Sequence, residues 1–151
     1  MKSDAVPGHP RLGIGYFVHP LPLIAVVVTA VNDHYLKYAH PSFLTGKISD
    51  FAGIFFFPIF LCALFNLARN LFSQKLHWIT VRQGVIAIAV TDLIFIAVKM
   101  VPTVTYAYIE MLEAIGYPSR VTRDPGDLAA LVMNVATFYF IWGQVRRGPP
   151  V

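Results

Sequence analysis

Residues 85–98 read VIAIAVTDLIFIAV, apolar apart from Thr91 and Asp92. A run of this kind is suited to crossing a bilayer, and an ionised carboxylate at bilayer depth costs several kcal/mol unless it is paired, hydrated or protonated. Asp92 therefore needs a partner in the protein interior. An acid in such a place is by default a pointer to function.

The rest of the chain belongs to the same class. Of 151 residues, 56% are hydrophobic and only 13% charged, and the mean hydropathy is +0.61. Soluble domains carry about 25% charged residues. The length predicts one domain, residues 1–151, and the composition makes it an integral-membrane one. Cys62 is the single cysteine and lies in an apolar segment, which excludes an intramolecular disulfide and reads as packing. The net charge of +4 comes without a basic tract interleaved with aromatics. No nucleic-acid partner is expected, and the positive balance reads as a topology signal.

Four segments have about the 20 residues that a membrane helix requires: 17–38, 48–72, 83–101 and 128–145. Pro58 is expected to bend the second, a bend that neighbouring helices can accommodate. Residues 103–116 carry Val104, Tyr108, Met111, Leu112 and Ile115 on one face and Thr103, Tyr106, Glu110 and Glu113 on the other. That pattern predicts an interfacial helix, or a continuation of the third helix beyond a kink at Pro102, ended by Gly116 and Pro118. The expected fold is an all-α integral membrane protein, a four-transmembrane-helix bundle with an extra amphipathic or kinked helix before the last span. Val28-Thr29-Ala30 fits a signal-peptide cleavage pattern. Retention of the first span is expected instead, because its apolar run leads straight into a polar group suited to the membrane edge.

With four spans, the N-terminal tail, the loop around residue 75 and the C-terminal tail share one side. They carry Lys2, Arg11, Arg69, Lys75, Arg82, Arg146 and Arg147 against a single acid, Asp4. The positive-inside rule places both termini in the cytoplasm. Asp33, Asp50, Glu110, Glu113, Asp124 and Asp127 fall on the outer face.

This asymmetry predicts a polar cluster. Asn32, Asp33, His34 and Lys37 end the first helix, Ser49 and Asp50 begin the second, Lys99 is near the end of the third, and Asp124 and Asp127 begin the fourth. Asn134 lies two turns below Asp127, about 10 Å deeper, and Asp92 lies two turns below Lys99. Together they suggest a funnel open outward and narrowing toward Asp92 and Asn134, with Asn134 the leading partner of Asp92. As a single site, it should bring Asp50 and Asp127 within direct or one-water reach of the turn at 32–37.

Each piece also has a plain structural role. Asp124 and Ser49 suit helix N-caps, Asp50 and Asp127 suit first turns, and Gly53 suits close helix packing. Asp33 and Lys37 have ion-pair spacing, and His34 reads as an interfacial histidine. Asp92 has no such role. The carboxylates and His34 are an oxygen-rich set that a divalent cation can use, although their spacing does not demand one. No GxSxG, HExxH, P-loop, CxxC or dinucleotide fingerprint is present, and no metal or cofactor is expected.

The stretches NDHYLK, TGKISDFAG and DPGDLAALVMN resemble a group of small bacterial membrane proteins and are distantly similar to the VanZ-like family. That family consists of small helical membrane proteins with short Asp/Asn/Gly signatures at helix starts. The resemblance covers about a third of the chain. It implies a bacterial inner-membrane protein acting at the cell envelope, with Asp33, His34, Asp50, Asp127 and Asn134 as signature positions. The leading expectation is a binding or accessory protein whose outward polar pocket holds a lipid headgroup, an ion or a partner subunit, alone or as a homo-oligomer. The alternatives are a membrane-embedded enzyme acting on a lipid-linked envelope substrate and an oligomeric proton or ion conductor.

Overall fold

A computed structural model describes residues 13–73, 76–116 and 121–149, and no strand occurs among them. Lys2, Asp4, Arg11, Lys75, Pro118 and Arg120 lie outside the described residues. Helix α1, Pro20–Val31, begins on proline, with the His19 ring accepting the Leu21 N–H. Proline suits this position because its missing N–H would have had no helical partner. The α-winding stops at Val31, earlier than the expected span 17–38. A π-helical turn, Asn32–Leu36, and the short α2, Lys37–Ala39, follow without a break.

Helix α3, Phe43–Ser73, starts five residues before the expected boundary. The reason is a reciprocal cap that the sequence reading missed. The Thr45 N–H donates to Ser42 Oγ at 3.2 Å, and the Ser42 N–H donates to Thr45 Oγ1 at 2.9 Å. Ser49 and Asp50 are therefore two turns inside the helix, and the N-cap and first-turn roles expected of them are excluded. Pro58 is buried within α3.

Helix α4, Val81–Met100, opens on a capping box between Thr80 and Gln83. Val101 is extended and Pro102 begins a separate helix α5, Pro102–Ala114. The region is thus a second helix rather than a kinked continuation, since proline cannot donate the N–H that would prolong α4. The Thr105 hydroxyl ties the joint to the carbonyls of Val98 at 2.6 Å and Val101 at 3.0 Å. The last segment winds as a 3-10 helix over Pro125–Val132 and continues as α6, Met133–Arg147.

Three helical stretches are long and apolar enough to cross a membrane: Phe43–Ser73, Val81–Met100 and Pro125–Arg147. Their outward side chains are apolar, as are those of α1, with Val27, Leu64, Leu93 and Val135 all more than half exposed. In water such a surface would be an association hazard, whereas lipid solvates it. The architecture is that of a small helical membrane protein.

Inside, Phe55, Ile59, Cys62, Ala63, Ala87 and Ile141 form the core. The close helix approach expected at Gly53 occurs instead at Gly84, where an added Cβ would lie 2.7 Å from Ile141 Cγ2. A Cβ at Gly53 would meet nothing within 4 Å. At the end of the bundle away from the acids, Asn66 is fully buried. Its amide donates to the Tyr16 hydroxyl at 3.0 Å, and its carbonyl accepts from Gln83 Nε2 at 3.0 Å. These bonds fasten the segment before α1 to α3 and α4.

Candidate functional site

Of the acids expected on the outer face, Asp33, Asp50, Asp124 and Asp127 line one cavity, and the irregular windings help to aim them. Asn32 and Asp33 lie in the π-helical turn, and Asp127 in the 3-10 stretch. A 3-10 helix advances about 120° per residue against about 100° in an α-helix. Asp127 therefore faces a direction that α-helical spacing would not predict. Such departures within helices are frequent at functional sites.

Asp127 is the hub. One of its oxygens accepts from Lys47 Nζ at 2.5 Å and the other from Lys99 Nζ at 2.6 Å. Lys99 also reaches Asp50 at 2.8 Å, and Lys47 reaches Asp124 at 3.1 Å. Both lysines and Asp127 are almost wholly shielded, with side-chain exposures of 12%, 8% and 6%. In such surroundings the charges are held by one another, because water screens them little.

Ser49 fastens the π-helical turn to α3 beside this group. Its hydroxyl donates to Asp33 Oδ1 at 2.5 Å and accepts from Asn32 Nδ2 at 2.7 Å. Asn32 also donates to the Thr45 carbonyl at 2.7 Å. The expected i, i+4 pair of Lys37 with Asp33 forms at 2.6 Å. Ser49, the residue before Asp50, joins this turn to α3.

Asp124 has the expected capping role, accepting the Gly126 N–H at 2.8 Å. That bond, followed by the Lys47 ammonium, holds its carboxyl below the usual carboxylate range. Tyr108, on α5, borders the same space. Burial raises its phenol above the usual range, and the charges of Asp33 and Asp50 add to this.

These groups line a cavity of about 490 Å³. Its polar end carries Asp33, Lys37, Lys47, Asp50, Lys99, Asp124 and Asp127, whereas Gly53, Ile54, Phe56, Phe57 and Phe95 line its apolar part. Gly53 is the residue that leaves room there. His34 is exposed and does not line the cavity. No group of three or more His, Cys, Asp or Glu side chains among the described residues is disposed to hold a metal ion. Ammonium groups stand between the carboxylates.

Asp92 and Asn134 depart from the expected funnel, because neither lines this cavity. Their pairing with each other does form. Asn134 Nδ2 donates to both carboxylate oxygens of Asp92 at 2.9 Å. The Lys99–Asp127 and Asp92–Asn134 contacts form two rungs on the antiparallel seam between α4 and the last helix, seven residues apart on each side. Only the first rung opens into the cavity, and the cavity wall at the second level is Thr91.

Lys47 is the principal site residue that sequence reading did not single out. A signal existed, since it stands three residues before Asp50 in the stretch TGKISD. With α3 placed as starting at 48, however, Lys47 was a loop residue. Tyr108 was assigned to an apolar helix face, and nothing in its spacing indicated a cavity.

No family model, curated protein or solved structure matches this chain.

Proposed function

We propose that the chain is a four-span protein of the bacterial inner membrane, with both termini cytoplasmic, whose outward cavity binds the headgroup end of a membrane lipid. The observation that carries this reading is the two-part lining of the cavity. Charged groups at helix ends suit a headgroup, and the glycine and phenylalanine part next to them suits the start of an acyl chain. A purely ionic ligand would not require the apolar part. The continuous helical stretch from Pro20 to Ala39 is the fourth span in this reading, and the role at the cell envelope follows the distant VanZ-like resemblance. A conductor is less well supported, because the buried residues Ile54, Ile59 and Ile141 stand between the cavity and the Asn66 network.

The cavity can be filled without disturbing its charges. Gly53→Leu adds a side chain into open space and raises helix propensity by about 1 kcal/mol. Native mass spectrometry of the protein released from membranes should show lipid bound to the parent and lost from Gly53→Leu, with thermal unfolding unchanged or raised. Equal lipid retention by both proteins would remove the cavity from the account.

Topology has its own test. In a Cys62→Ala background, Ser73→Cys should react with an impermeant thiol reagent only from the cytoplasmic side, and Ser119→Cys only from the outside. Ser119 lies outside the described residues. Labelling of both positions from one side would overturn the four-span arrangement.

A further inference from the structure

The ion pairs of the cavity point to the chemistry of its occupant. Its lining holds three ammonium groups, Lys37, Lys47 and Lys99, and four carboxylates, Asp33, Asp50, Asp124 and Asp127. Each lysine is already engaged by one or two of these carboxylates. An incoming anion could reach only the N–H groups that these carboxylates leave over, and it would enter a lining that already has one negative charge in excess. An incoming cation meets neither obstacle, and a zwitterion that leads with its cation adds no net charge to the lining.

Asp50 supplies the place for it. Lys99 engages Oδ2, while Oδ1 has no hydrogen-bond partner among the described residues. The side chain is 18% exposed and lines the cavity. Gly53 and Phe57 follow on the same helix, Phe57 about 10 Å further along it, so a group at Asp50 is contiguous with the apolar part. A carboxylate oxygen with a free lone pair accepts an N–H, which a primary ammonium offers and a quaternary one lacks.

We infer that the cavity selects an amphiphile whose polar end carries a protonated primary amine, the ammonium donating to Asp50. Among bilayer lipids this is the chemistry of phosphatidylethanolamine. The inference rests on the lipid reading above, and the experiment separates the two.

The full-length protein is exchanged into detergent micelles containing equal amounts of phosphatidylethanolamine, phosphatidylcholine and phosphatidylglycerol, and bound lipid is counted by native mass spectrometry. Phosphatidylethanolamine should be retained about tenfold over each of the others, the ratio that one charge-assisted hydrogen bond supports. Successive N-methylation of the headgroup should erode the advantage and abolish it at the trimethyl stage, a readout that needs no variant to fold. Asp50→Asn, where it folds, should bring the ethanolamine and choline lipids to parity. Retention of the glycerol or choline lipid at equal or higher level would overturn the amine inference and leave the lipid reading standing. Absence of any retained lipid would overturn both.

Discussion

Replacing Asp127 by Ala should lower stability by about 3–5 kcal/mol, the range observed when one partner of a buried charge group is removed. The magnitude follows from what remains. Asp127 is 5% exposed and satisfies two ammonium groups, one through each oxygen. Without it, Lys99 keeps only Asp50, and Lys47 keeps only the half-exposed Asp124. Lys99 is the more deeply shielded of the two and bears most of this loss. Thermal unfolding of the detergent-solubilised protein should therefore shift down by many degrees. Lys99→Met combined with Asp127→Ala should be less destabilised than the sum of the two single variants, because the pair leaves one fewer unmatched charge. An unfolding temperature for Asp127→Ala within error of the parent would mean that the network does not hold the helix ends together.

At the opposite end of the bundle, Asn66→Leu should cost about 1–3 kcal/mol. Leucine has the same branched shape and is the larger side chain, so no cavity is left and the loss comes from polar groups. The Tyr16 hydroxyl, which is buried, loses its donor, and the part-buried Gln83 amide loses its acceptor. Each polar group left unsatisfied in such a site costs about 1–3 kcal/mol. Because Tyr16 belongs to the segment before α1, protease cleavage between residues 13 and 19 should also accelerate. Unchanged unfolding and unchanged cleavage would show that the contact between Tyr16 and Trp78, whose rings meet edge-to-face at 5.2 Å, holds this segment without Asn66.

The two networks differ in how visible they are in the sequence. The acidic end was legible because charges in an apolar chain stand out, and because alternation of spans sorts them to one side. Asn66 was not, since an asparagine near the end of a long apolar helix has no pattern that names its partners. The Asp92–Asn134 contact was legible for a geometric reason: two polar residues at similar depth on neighbouring helices have few other hydrogen-bonding groups to meet.

What the sequence by itself determined is the helical class, three of the four expected apolar spans, and the end of the bundle at which Asp33, Asp50, Asp124 and Asp127 collect. These depend on composition and on distance along one helix, both of which are local quantities. Only the tertiary structure decided that Lys47 joins the centre of the ion network, that Gly53 opens a cavity while Gly84 closes a contact, and that Asp92 stays outside the polar pocket. Those outcomes depend on rotation about helix axes. The cap at Ser42 adds a turn and a half to α3, and the π-helical and 3-10 windings turn Asp33 and Asp127 away from α-helical register. Each rotation is set by which face its neighbours bury, and that is a property of the assembled bundle.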